Sequence, residues 1–125
     1  MSTNPLHKVV PFTTIKMLNE TTKLIGLPRL NAQVVITLPD INDFNEELKE
    51  SIDFSAEEIE CFIITSSSSH QIKNKIKQYE LNESLISNDF RKYANLFQLK
   101  DEQNNLIKSL IMINRDCQIM HKELM

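Results

Sequence analysis

The sequence predicts an all-α fold, five or six helices in a bundle with an extended N-terminal arm, and three observations lead there. The single glycine, Gly26, and the four prolines, Pro5, Pro11, Pro28 and Pro39, all precede residue 40, so residues 40–125 hold nothing that forbids a helix. Apolar residues recur at spacings of three and four along most of that stretch. Leu96, Leu99, Gln103, Leu106, Leu110, Ile113, Cys117, Met120 and Leu124 then alternate three and four without a break, a coiled-coil-like seam. Asn, Ile and Lys fill 38 of 125 positions and Ala only three, a bias that thins Gly, Ala and Pro everywhere but does not explain their segregation.

Each element follows from local chemistry. Residues 1–12 read as an extended arm, because Pro5 and Pro11 fix their own backbone and push the preceding residue out of helix. Residues 13–125 read as a single helical domain. Thr13 or Thr14 caps a short helix with Ile15, Leu18, Thr22 and Ile25 on one side, ended by Gly26 and Pro28. Residues 30–38 carry most of the β-branched density and are read as extended. Asp40 caps a second helix with Ile41, Phe44, Leu48 and Ile52 on one stripe. Ser55 and Glu58 form a capping box for a third, with Ile59, Phe62 and Ile63. The alternative is an α+β domain with short strands near 33–38 and 59–65.

The serine run at 66–69 reads as a connector that caps the next helix, since hydroxyls compete for backbone hydrogen bonds inside a helix. A fourth helix carries Ile72, Ile76, Tyr79, Leu81, Leu85 and Ile86, and a fifth segment carries Phe90, Tyr93, Ala94 and Phe97. Residues 96–124 form the last and longest helix, the spine of the bundle.

Charge and composition narrow the function. The net charge of −3 conceals an acidic middle: residues 40–70 hold nine acidic side chains and one lysine. Such a block opposes a chain that tracks phosphate over its whole surface. The absence of a continuous apolar run argues against a membrane span and a secretory signal, so the chain is expected inside the cell, cytoplasmic or nuclear. Cys61 and Cys117 sit in apolar patterns and read as reduced core thiols. Cys117 and His121 share one helical face and make half a zinc site at most, which leaves no metal and no cofactor in the reading. No serine or cysteine adjoins Gly26, which removes the usual nucleophile turn and the phosphate-cradling loop.

The expected function is therefore a non-enzymatic interaction subunit or adaptor of a larger intracellular assembly, with no catalytic residue. Its protein partner would meet Leu110, Ile113, Met120 and Leu124 on the terminal seam, and a hetero-oligomer is favoured over a homodimer. The alternative is a small DNA-binding or transcriptional regulator with a weak helix-turn-helix at 88–111, reading bases through Gln103, Asn104, Asn105 and Lys108.

Overall fold

The computed structural model describes residues 12–26, 32–55, 59–116 and 118–124, and it corrects the all-α expectation. Seven strands and three α-helices are present among the described residues. The proposed arm at 1–12 lies outside them except for Phe12. In chain order the elements are β1 (Thr13–Lys16), β2 (Thr22–Ile25), β3 (Ala32–Leu38), α1 (Glu46–Ser55), β4 (Ile59–Thr65), α2 (Ser69–Tyr79), β5 (Ile86–Ser87), α3 (Arg91–Phe97), β6 (Ser109–Ile113) and β7 (Ile119–Leu124). Strands do occupy the two stretches that the α+β alternative names.

Five strands form one sheet in the order β5-β4-β3-β6-β7. β3 pairs parallel with β4 and antiparallel with β6, β4 runs parallel to β5, and β6 and β7 make an antiparallel hairpin. β1 and β2 form a separate antiparallel hairpin. Two parallel pairs demand two crossover connections, and α1 and α2 supply them.

Side-chain alternation divides the interior into two layers. Val35, Phe62, Ile64, Ile111 and Ile113 face one way and pack with Ile15, Met17 and Ile25 of the hairpin region and with Tyr93, Ala94 and Phe97 of α3. Ile36, Leu38, Cys61, Ile63 and Ile86 face the other way, under Ile52 of α1 and Ile72 of α2. A strand covered on both faces reads as a continuous apolar run, and β4, Ile-Glu-Cys-Phe-Ile-Ile-Thr, is that case. Its Phe62, Ile63 and Ile64 are each buried, worth about 1.5–3 kcal/mol apiece in transfer free energy.

The first expected helix is the β1–β2 hairpin, because Ile15 and Ile25 reach the core on alternation rather than on a helical stripe. The second is right in part. Asp40 does cap, its Oδ1 accepting from Asn42 N–H at 2.9 Å, but it caps a single 3₁₀ turn, and α1 starts later, where Asn45 Oδ1 accepts from Leu48 N–H at 2.8 Å. Most of the Ser55–Glu58 capping box lies outside the described residues, and Ile59 onward is strand. The fourth helix stops at Glu80, which takes the left-handed conformation at φ 54°, so Leu81, Leu85 and Ile86 leave it.

Among the described residues, α3, a turn and strands β6 and β7 stand where the long terminal helix was expected. α3 ends at Gln98, also left-handed at φ 56°. A turn follows in which the Asp101 carboxylate accepts from the backbone N–H groups of Gln103 (2.8 Å) and Asn105 (2.9 Å), with Asn104 at φ 64°. A second turn is held by Asn114 Oδ1, which accepts from the N–H groups of Asp116 and Gln118, both at 2.9 Å. Asx turns and left-handed Glu, Gln and Asn residues thus do the work that glycine and proline do in other chains.

The serine run ties the carboxyl ends of the parallel strands together. Ser66 Oγ–H donates to Pro39 O at 2.8 Å, Ser67 Oγ accepts from Ile41 N–H at 2.9 Å, Ser68 and Gln71 form a capping box for α2, and Asn88 Nδ2–H donates to Ser69 Oγ at 3.2 Å. No helix among the described residues is long and apolar enough to cross a membrane.

Among the described residues, the buried side-chain hydroxyl of Tyr93 lacks a hydrogen-bond partner, and its ring lies 4.6 Å from that of Phe97. Burial pushes the pKa of this hydroxyl up. Tyr93→Phe removes an unsatisfied polar atom and keeps the ring, so it is expected to raise the free energy of unfolding by about 1–3 kcal/mol in urea titration. A loss of stability would mean that the hydroxyl has a partner in solution.

Candidate functional site: a thiol in an apolar cleft

The chemistry that this fold can offer centres on the face of the sheet crossed by α1. Leu48 and Ile52, four residues apart, put one side of that helix against the sheet, leaving a cleft between α1 and β6. The cleft holds about 270 Å³ and is walled by Val34, Ile36, Leu48, Ile52, Cys61, Leu110 and Met112 among others. Cys61 enters it because β4 sets this residue opposite Val34 of β3, on the α1 face of the sheet. A second opening of about 170 Å³, bordered by Lys23, Glu60 and Leu85, shares Ile52, Ile59 and Cys61 with the first. The thiol therefore stands where two clefts meet, only 7% exposed. At the far end a third opening of about 210 Å³ adds the polar side chains of Asp43, Asn45, Glu47 and Lys108.

Burial is the cause that pushes the Cys61 thiol up to about 11. A helix start lowers a thiol's pKa, but the first turn of α1 carries Glu46 and Glu47 instead. Cys117 lies outside the described residues, and so does the half-site it was expected to make with His121. His121 Nε2 stands 3.5 Å from Glu123 Oε2.

The four residues expected to meet a partner are not one seam. Leu110 lines the cleft, Ile113 is 1% exposed in the opposite layer, and Met120 and Leu124 lie 43% and 57% exposed on β7. A period of seven on a helix and the alternation of two strands joined by a turn select different neighbours. Gln103, Asn104 and Asn105 sit in the turn after α3 rather than on a recognition helix, so the helix-turn-helix at 88–111 is also corrected. Sequence reasoning placed Cys61 in the core, which is right, and missed the cleft beside it. No local signal marks a cleft made by residues of β3, α1, β4 and β6.

No family model matches the sequence, and no curated protein does. Solved structures do resemble it. A peroxiredoxin-like protein from Aquifex aeolicus superposes with a TM-score of 0.76 at 16% identity, over 95% of this chain and 75% of that one. A thiol peroxidase from Chromobacterium violaceum gives 0.72 at 12%, over 96% and 76%. The C-terminal domain of a thiol-disulfide oxidoreductase from Bacteroides thetaiotaomicron gives 0.67 at 14%, over 94% and 85%. The chain thus has the fold of peroxiredoxins. The expectations of a helical adaptor, of a DNA-binding regulator and of a chain without enzymatic chemistry are corrected on this ground. Among the described residues neither the bundle nor the recognition helix they rested on is present, and the fold is one shared with proteins named for thiol chemistry.

Two outcomes follow from the geometry. Ile113→Asp buries a charge in the inner layer and is expected to unfold the domain, seen as loss of the cooperative thermal transition, whereas Met120→Asp leaves that transition within a few degrees. The raised Cys61 pKa stabilises the fold fully below the ordinary value of 9.0, and this contribution is lost as pH climbs toward about 11. Two pH units correspond to roughly 3 kcal/mol. Cys61→Ala is expected to flatten the fall in stability between pH 9 and 11 measured by chemical denaturation.

Proposed function

We propose that the protein is a thiol-dependent redox enzyme that reduces hydroperoxides, with Cys61 as the reacting thiol. One observation carries the reading: the Cys61 thiol lines an open apolar cleft in a fold it shares with thiol peroxidases. In the first step the Cys61 thiolate attacks one oxygen of ROOH. The S–O bond forms, the O–O bond breaks, ROH leaves with a proton from solvent, and the sulfur becomes a sulfenic acid, a two-electron oxidation. A second thiol condenses with it, forming a disulfide and releasing water. A dithiol reductant then takes over the disulfide and restores the free thiol by exchange. A reducing cytoplasmic compartment would keep Cys61 in the starting state.

Burial holds the thiol protonated at neutral pH, so this chemistry is expected to be slow there. With its pKa near 11, the thiol is ionised to about one part in 10⁴ at pH 7. The higher intrinsic nucleophilicity of a basic thiolate offsets part of that loss. The apolar walls favour an alkyl substituent on the peroxide over bulk water.

The test measures consumption of an alkyl hydroperoxide with dithiothreitol as reductant, from pH 6 to 10. The rate is expected to rise nearly tenfold per pH unit, Cys61→Ser to abolish it, and Cys117→Ser to leave the first oxidation of Cys61 intact. Full turnover by the Cys61→Ser protein would overturn the assignment.

A further inference from the structure

The acidic block at residues 40–70 has a place at one end of the cleft. α1 begins with Glu46 and Glu47, and its one basic residue, Lys49, is held by Asp53 Oδ2 at 2.7 Å. Asp43 lies on the 3₁₀ turn before the helix. Asp43 and Glu47 are exposed, border the polar opening and make no ion pair among the described residues. Half-buried Lys108 stands at the same mouth, just before β6. Even against Lys108 and the roughly half positive charge of a helix start, Asp43, Glu46 and Glu47 leave this end negative.

From there the wall turns apolar. Ile36, Leu48 and Leu110 line both the polar opening and the cleft of about 270 Å³, and Val34, Met112 and Cys61 belong to the cleft alone. At about 30 Å³ per water-sized group, the cleft has room for a chain of roughly eight carbons. An acidic mouth on an apolar slot selects one kind of amphiphile, since a neutral head gains nothing from the carboxylates and an anionic head meets like charge.

We propose that the cleft binds an aliphatic primary amine in its ammonium form. The head sits between Asp43 and Glu47, whose oxygens accept from its three N–H donors, and the chain lies over Leu48 and Leu110 toward Cys61. Burial of the chain supplies the affinity, and the exposed carboxylates supply a smaller, salt-sensitive preference for the head. Binding asks nothing of Cys61 except its position, so this site stands or falls apart from the redox reading.

The experiment uses the full chain with Cys117→Ser, so that Cys61 is its one thiol, and follows alkylation of Cys61 by iodoacetamide at pH 8 by mass spectrometry. A ligand in the cleft shields that thiol. Octylammonium, octanol and octanoate carry one chain on a positive, a neutral and a negative head. Octylammonium is expected to protect Cys61 at about tenfold lower concentration than octanol, and octanoate to protect least. Sodium chloride at about 0.5 M is expected to narrow the gap. Asp43→Asn with Glu47→Gln, both at exposed positions and checked for folding by circular dichroism, is expected to bring octylammonium to the level of octanol. Equal protection by octylammonium and octanol in the parent protein, strongest protection by octanoate, or no protection by any of the three overturns the proposal.

Discussion

Double pairing of β3 is the constraint on which the rest of the molecule depends. Ala32–Leu38 bonds along its whole length to β4 on one side and over five residues to β6 on the other, with opposite relative directions. The parallel partner requires a crossover, which places α1 on one face. The antiparallel partner brings the chain back from α3 on the opposite face. Both faces are then covered, and Val35 and Ile36 point into separate cores while occupying adjacent positions. Thr37 belongs to the same arrangement: its hydroxyl is satisfied across the sheet by Ile107 O at 2.7 Å and Ser109 Oγ at 2.5 Å, so a buried polar side chain is tolerated mid-strand.

The cleft is a consequence of the same layout. The cleft runs between α1, which contributes Leu48 and Ile52, and β6, which contributes Leu110 and Met112. Cys61 lines it together with Ile52 and Ile59, which also border the second opening. Its environment supplies access and an apolar wall, with Lys23 and Glu60 at the second opening, and burial is the cause that raises its pKa. Reactivity and packing pull in opposite directions here: the burial that makes the thiol a good core residue makes it a reluctant nucleophile.

Parts of this architecture are legible along the chain. α2 and its Ser68 cap, α3 with Tyr93, Ala94 and Phe97 on its buried side, and the extended stretch at 33–38 are visible in local pattern, whereas 59–65 reads as a strand only in the α+β alternative, its capping-box signal pointing to a helix. The last third is not. Its leucines and isoleucines repeat at three and four, yet Asp101 and Asn114 each fold the backbone into a turn through their own side chains. In a chain this poor in glycine, Glu80, Gln98 and Asn104 take left-handed backbone where glycine is usual. The lack of breakers therefore mimics an unbroken helix.

By itself the sequence determined which short segments are amphipathic, that Asp40 and the serine run supply caps and that the chain has two thiols, because these follow from neighbours a few residues apart. Only the tertiary structure decided that residues 109–124 are a hairpin at the edge of a sheet, that Ile113 is core while Met120 is surface, and that Cys61 meets a cleft. Each of those outcomes rests on pairings between residues such as Val34, Cys61 and Met112, far apart in sequence. A period read along one segment carries no information about which distant strand will lie beside it.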